Sequence, residues 1–324
     1  MLQQVSPEQL AENLSRAERV PLVFVVLTVV ASLVTRAARW QVYFLPDRRV
    51  PFRPLLSTLS ISYMASTFLP FRAGELVRAV FLSQRESLAV PRILGTILIE
   101  KLFDFLAIGV MLAAVLVTGS VPPGASLAGQ LIVVVIVGGF GFVVALAVWR
   151  DPTLRALAFV DRQLPFGLRG RLSLEAIAGH FAEGTDSLRE RRLWMPLLFW
   201  TAATWLGSIL IGWAGTAALN LNPGLAAFVF LSVVTSTGQA VPSSPGYVGV
   251  YHAAAVFALT SFGVDQASAL AIAVLIHAFT YGVLVVLGLA ALWLDGYSMS
   301  DLLSGIRGQA PELTSSPAPL APDP

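Results

Sequence analysis

Three charged residues are crowded into one apolar run: Glu100, Lys101 and Asp104, inside residues 93–118. On a helix they fall within an arc of roughly 100°. Counted from Arg92 at the polar edge of the run, Glu100 lies ~12 Å and Asp104 ~18 Å along the axis. A bilayer core is ~30 Å thick, so this spacing places both carboxylates near its middle. Charges at that depth are costly unless paired or wetted, and they normally face a bundle interior and mark a path for a polar solute or a proton. A neutralised structural cluster explains the same spacing and stays open as the alternative.

The second candidate is the stretch Phe68-Leu69-Pro70-Phe71-Arg72-Ala73-Gly74-Glu75-Leu76-Val77-Arg78. Pro70 breaks a helix and Gly74 lets a ligand come close to the backbone. A helix that restarts there offers free N–H donors and a partial positive charge, which suits an anion such as a lipid phosphate. Arg72 and Arg78 add forked donors for phosphate, and Glu75 either orients an arginine or meets a cationic headgroup. The competing reading makes Arg72, Arg78 and Arg85 topology determinants only. A counterpart runs from Gln239 to Gly249, with Pro242, Pro245, Gly246 and Gly249 but no charge. Its Ser243, Ser244 and Tyr247 and its backbone amides are suited to lining a cavity. His252 and His277 either face that interior or serve as hydrogen-bonded packing residues. Cysteine is absent and there are three histidines, so thiolate chemistry is excluded and neither a metal site nor a cofactor is expected.

The elements that must hold these residues are membrane helices. Of 324 residues, 56% are hydrophobic and 12% charged, with a mean hydropathy of +0.75. A soluble domain carries about 25% charged residues, so an ordinary water-soluble protein is excluded. The net charge of +2 gives no reason to expect nucleic acid. Apolar segments run over 20–38, 55–69, 93–118, 127–149, 194–219, 225–241, 247–262 and 267–294. The fold expected is all-α: a polytopic helical membrane protein with two inverted repeats that contain Pro/Gly-broken helices, re-entrant or fully crossing. Residues 1–19 read as an interfacial amphipathic helix and not as a cleaved signal, with Ser6 capping, Pro7 in the first turn and Gln9 completing a capping box. Residues 296–324, rich in Pro, Ala and Ser, read as a disordered tail.

Charge asymmetry orients the bundle, because arginine-rich loops stay cytoplasmic. Arginines fill the regions 36–53, 72–92 and 150–193, whereas 119–126 and 220–224 carry no charge and 262–266 only Asp265. If 55–85 and 225–262 each return to the side they left, every arginine-rich loop lies inside. The C-terminus is then cytoplasmic and the N-terminus external, whether the two hairpins dip or cross twice. The repeats would span about 20–118 and 194–294, joined through a cytoplasmic stretch at 150–193. That stretch has eight arginines against six acidic residues; it either rests on anionic headgroups or is a solvated loop. Matching breaks support the repeat: Leu69-Pro70-x-x-x-Gly74 and Val241-Pro242-x-x-x-Gly246, followed by Lys101-Leu102-Phe103-Asp104-Phe105 and His277-Ala278-Phe279-Thr280-Tyr281. Broken segments at matching places in inverted halves point to a transport site.

Together these features resemble a known family, the flippase-like transmembrane domain of lysylphosphatidylglycerol synthases (multiple peptide resistance factors) and its stand-alone relatives. The matching pieces are Arg36-Ala37-Ala38-Arg39-Trp40, the Leu-Pro-x-x-x-Gly-Glu-x-x-Arg stretch ending at Arg78, Glu100-Lys101-Leu102-Phe103-Asp104, and Pro242-Ser243-Ser244-Pro245-Gly246-Tyr247-Val248-Gly249. They span roughly residues 20–295, the expected transmembrane domain. Lys101 stands where the family usually has Arg, which keeps the charge, and His277 where it often has Arg, which weakens a charge-based role. The resemblance implies a bacterial-type cell (inner) membrane protein that moves a polar-headed lipid, an anionic phospholipid or a glycolipid, between leaflets. No soluble aminoacyl-transferase domain is found in the sequence, so lipid aminoacylation is not expected. Two alternatives stay open: a membrane-embedded transferase acting on a lipid carrier, and a scaffold that recruits lipid-synthesis enzymes through 150–193. Against the transferase stand the lack of an Asp-x-Asp pair, a Gly-x-Ser-x-Gly elbow or a metal-ligand cluster.

Overall fold

Ser6, Pro7 and Gln9 open the first helix as their chemistry requires. The Ser6 hydroxyl accepts from the Gln9 N–H at 3.2 Å, and the Gln9 side chain accepts from the Ser6 N–H at 3.4 Å. This reciprocal cap, with Pro in the first turn, starts α1 (Pro7–Ser15). A computed structural model of the chain describes residues 6–45, 47–69, 73–117, 134, 138, 186–240 and 244–297. Among the described residues all regular structure is helical. Val134 and Gly138 are helical; the rest of the expected segment 127–149, the stretch 150–185, and Arg72, Pro242, Ser243 and the tail beyond 297 lie outside the described residues.

Four helices are long: α2 (Arg19–Phe44), α5 (Val90–Val117), α6 (Arg191–Ala217) and α9 (Gln266–Leu294). At ~1.5 Å per residue each exceeds ~38 Å, more than the ~30 Å hydrocarbon layer. Among the described residues α2, α6 and α9 are long and apolar enough to cross a membrane. α5 has the length but carries Glu100, Lys101 and Asp104 in its middle. The bundle is greasy on the outside and encloses a few charged side chains in an apolar interior. Leu27, Phe199 and Trp293 are exposed, while Arg39, Arg78 and Glu100 are buried, a distribution suited to lipid surroundings.

The remaining helices form two hairpins of short rods: α3 (Phe52–Phe68) with α4 (Ala73–Glu86), and α7 (Leu225–Ala240) with α8 (Val250–Thr260). At ~1.5 Å per residue none reaches ~30 Å. The first hairpin starts and finishes at one end of the bundle. Arg48, just before α3, pairs at 2.7 Å with Glu86 at the end of α4, and Asp47 pairs with Arg92. The second hairpin starts and finishes at the opposite end, where Phe262 packs on Phe230 at 5.7 Å between ring centroids. The backbone N–H of Glu18, ahead of α2, reaches the Ala218 carbonyl at that same end, 2.8 Å away. The tips meet inside the bundle. Gly246 takes the left-handed φ of +64°, and a Cβ there would lie 3.3 Å from the Thr67 carbonyl oxygen. Two apolar layers flank this meeting point, one built on Trp40, Phe44, Leu55 and Phe103, the other on Phe230, Val256, Leu259 and Ile272.

Candidate functional site

Asp104 is halfway along the 28-residue α5, with Glu100 one turn nearer the arginine-rich end. Both carboxylates are met by arginines from other helices. The Arg78 Nη2 of α4 donates to Glu100 Oε2 at 2.6 Å, and the Arg39 Nη1 of α2 donates to Asp104 Oδ1 at 2.7 Å. Arg39 Nη2 also lies 3.5 Å from Glu100 Oε1. The indole N–H of Trp205 on α6 points to Asp104 at 3.3 Å. Arg78 is further fixed by lying over the Trp40 ring, 3.7 Å from its centre, a cation–π contact that is strong when water is excluded. Trp40 is itself anchored by its N–H to Thr96 at 3.0 Å. Lys101 forms a separate pair with Glu75 at 3.0 Å. Buried ions persist only in such mutual pairing, and four helices are needed to supply it.

This cluster borders a cavity of about 300 Å³ between the hairpin tips, at the lower end of the ~300–1,000 Å³ typical of ligand sites. Of the residues expected at a site, Glu75, Arg78, Lys101, Asp104, Tyr247 and His277 line it. Glu100 sits behind Arg78, 2% exposed. Gly74 serves packing: a Cβ there would stand 2.0 Å from Ser66 Oγ and 2.3 Å from the Ser62 carbonyl oxygen, so its open space is filled by α3 and not by a ligand. Gly246 shapes the second tip, and its carbonyl is held by His277 Nε2 at 2.8 Å. Ser244 closes the same turn by donating to the Val248 carbonyl at 2.7 Å. Arg72, Pro242 and Ser243 lie outside the described residues. His252 caps α8, its Nδ1 3.3 Å from the Gly249 N–H.

The wall opposite the ionic cluster is polar without charge. The Tyr281 hydroxyl donates to Gln239 Oε1 at 3.0 Å, and His277 packs between Tyr251 and Tyr281 with ring centroids 5.2 and 4.3 Å away. Sequence reasoning did not assign Arg36, Arg39, Trp205, Gln239, Tyr251 or Tyr281 to the site. The signal for the first two was present: Arg36 and Arg39 sit three apart on one helix face, but they read as loop-flanking charges. Among the described residues no group of three or more His, Asp or Glu is placed to hold a metal.

The family profile described as Lysylphosphatidylglycerol synthase TM region matches residues 1–288. The chain is 26% identical to the Glycosyltransferase AglD of Haloferax volcanii, over 88% of this chain and 53% of that protein, so it spans about half the length of that relative. It is 22% identical to the UPF0104 membrane protein MJ1078 of Methanocaldococcus jannaschii, over 69% of this chain and 90% of that protein. No solved structure matches. A charged pocket between two broken hairpins inside an apolar bundle, together with a profile that spans nearly the whole sequence, leads to one statement of kinship: the chain belongs to the family of the lysylphosphatidylglycerol synthase TM region, and it is a membrane protein.

Proposed function

We propose that the protein moves a polar-headed lipid between the two leaflets of the cell membrane. The observation that carries this reading is the 300 Å³ cavity at the meeting point of two hairpins that enter from opposite ends. Substrate sites of secondary transporters lie near the midplane, where discontinuous helices of two repeats meet. In this reading the headgroup occupies the cavity, against Glu75, Arg78, Lys101 and Asp104 on one side and Tyr247 and His277 on the other. The acyl chains stay in the surrounding hydrocarbon. The arginine-rich end, with the C-terminus, faces the cytoplasm, and Arg72 meets the headgroup as it arrives. Glu75 and Asp104 are the cavity-lining carboxylates suited to carry a proton if a proton gradient drives the cycle.

The test is transfer of a fluorescent phospholipid in proteoliposomes, read by quenching of the outer leaflet. Transfer faster than in protein-free vesicles is expected, and Asp104→Asn is expected to stop it while the protein still inserts. Equal rates with and without protein would overturn the reading. The name of the Haloferax relative favours a second reading, in which this domain presents a lipid carrier to a glycosyl-transfer reaction. Turnover of a labelled carrier lipid by membranes that hold the protein, and not by membranes without it, would support that one instead.

A further inference from the structure

The second hairpin tip is pinned by two imidazoles that use their nitrogens in opposite ways. His277 Nε2 lies 2.8 Å from the Gly246 carbonyl oxygen. A carbonyl only accepts, so Nε2 carries the hydrogen. His252 Nδ1 lies 3.3 Å from the backbone nitrogen of Gly249, at the start of α8. An amide N–H only donates, so this Nδ1 is bare. Each ring thus holds one backbone group of the turn that rests against Thr67 of the first hairpin. The rings also meet each other edge to face, with centroids 4.7 Å apart. An imidazole changes charge between about pH 5 and 8, and here a change of charge alters both backbone bonds and the contact between the rings.

We propose that His252 and His277 form a proton-binding latch: the tip stays docked while the pair has gained at most one proton, and the second proton releases it. The first belongs on His277. Its Nδ1 gains a hydrogen while Nε2 keeps the bond to Gly246, and Tyr251 and Tyr281 flank the ring that becomes a cation. The second must enter at His252 Nδ1, the atom that accepts from Gly249. Two donors then face each other, the first turn of α8 loses its cap, and two cations stand with ring centres 4.7 Å apart. The surroundings do not offset that charge. Tyr247, Tyr251, Tyr281 and, from α3, Tyr63 share the cavity and are neutral near pH 6, and α7 presents the uncharged Gln239. The ionic groups of the cavity are Arg36, Glu75, Arg78, Lys101 and Asp104; its two carboxylates are bonded to Lys101 and Arg39. Asp265, which caps α9, is ~18 Å along that helix from His277. α1, also packed on α9, keeps Glu8, Glu12 and Arg16 exposed. The latch adds a regulation to the transport reading and rests on it only for what the released tip admits.

The experiment is hydrogen–deuterium exchange of the full chain in maltoside micelles between about pH 7.5 and about pH 5, each rate divided by the intrinsic rate at that pH. Protection of residues 244–254 should fall by up to ~10-fold per pH unit below about pH 6.5, as one proton is taken up on release, while α6 stays constant. His252→Gln places the usual capping-box acceptor at the same position without a titrating group. It should keep the protection seen at the neutral end and stay flat at the acid end. His277→Gln should shrink the fall, because no second cation forms. A wild-type tip equally protected at both ends of the range overturns the proposal without any variant. So does an equal fall in His252→Gln. So does a fall of the same size in α4, which would put the proton on a carboxylate of the ionic cluster. The two readings fail separately. Acid release of the tip without lipid transfer in vesicles leaves the latch standing and removes transport. Transfer by a wild-type protein whose tip does not loosen in acid removes the latch and leaves transport.

Discussion

On the α4–α5 side of the cavity, polarity comes from ions, and each carboxylate is paired with a residue far away in the chain. Arg78 and Glu100 are 22 residues apart, Arg39 and Asp104 65. On the α7–α9 side it comes from uncharged groups: the Tyr281–Gln239 contact, the His277 bond to Gly246, and hydroxyls that bond back to their own helix, as Thr235 does to the Leu231 carbonyl. The ionic wall is brittle. Removing one member of the Arg39–Arg78–Glu100 group strands another that is 4% exposed or less, and the cost approaches that of a bare buried charge. The uncharged wall is forgiving, since each lost bond exposes at most one neutral group. One wall therefore fixes the geometry of the centre, while the other can adjust to what sits there.

The sharpest way to break this contrast is at Glu100. Glu100→Gln leaves Arg78 and Arg39 sharing too little negative charge, and a loss of ~3–5 kcal/mol in stability is expected, read as a large drop in unfolding temperature in detergent. A loss below ~1 kcal/mol would mean that the cluster is not dry. Gly74→Ala comes next. Its Cβ meets α3 at 2.0 and 2.3 Å, so the first hairpin must splay, at ~1–3 kcal/mol. The same change at Gly246, where φ is +64° and the nearest contact is 3.3 Å, should cost ~1–2 kcal/mol. His277→Phe keeps the ring packing and loses the bond to Gly246, for ~0.5–1.5 kcal/mol. Lys101→Met is the mildest: the pair with Glu75 is about 30% exposed, and the change should stay within ~1 kcal/mol. Thermal unfolding of the five variants in one detergent checks the order, and His277→Phe proving more damaging than Glu100→Gln would reverse the comparison.

Much of the frame was legible because it rests on local chemistry. The Ser6–Gln9 cap, the long apolar helices and the breaks near Pro70 and Pro242 each announce themselves within a dozen residues. So did the place of Glu100 and Asp104 near the middle of one long helix, which follows from helical rise alone. The partners were not legible. Nothing local says that Arg78 serves Glu100 and not a phosphate, or that Trp40 floors Arg78, because both contacts depend on how α2, α4 and α5 pack. Gly74 shows the same limit. Its type promised a close approach to backbone, and only the packing of α3 decided that the approaching group is protein. The aromatic residues Trp205, Tyr251 and Tyr281 escaped notice because aromatics are everywhere in such a chain and carry no spacing signal.

Asp295, at the end of α9, binds both Ser57 of α3 and Arg85 of α4. Farther along the same seam Gly288 lies so close to α3 that a Cβ would stand 2.3 Å from that of Met64. The last helix is thus riveted to the first hairpin, while α2 runs beside α6. Pieces that work as one lever are drawn from opposite ends of the chain. A pull on whatever follows Tyr297 would reach the hairpin that carries Arg78 through Asp295, and the α7–α8 tip through the bond of His277 to the Gly246 carbonyl, so the last helix is one handle on both tips.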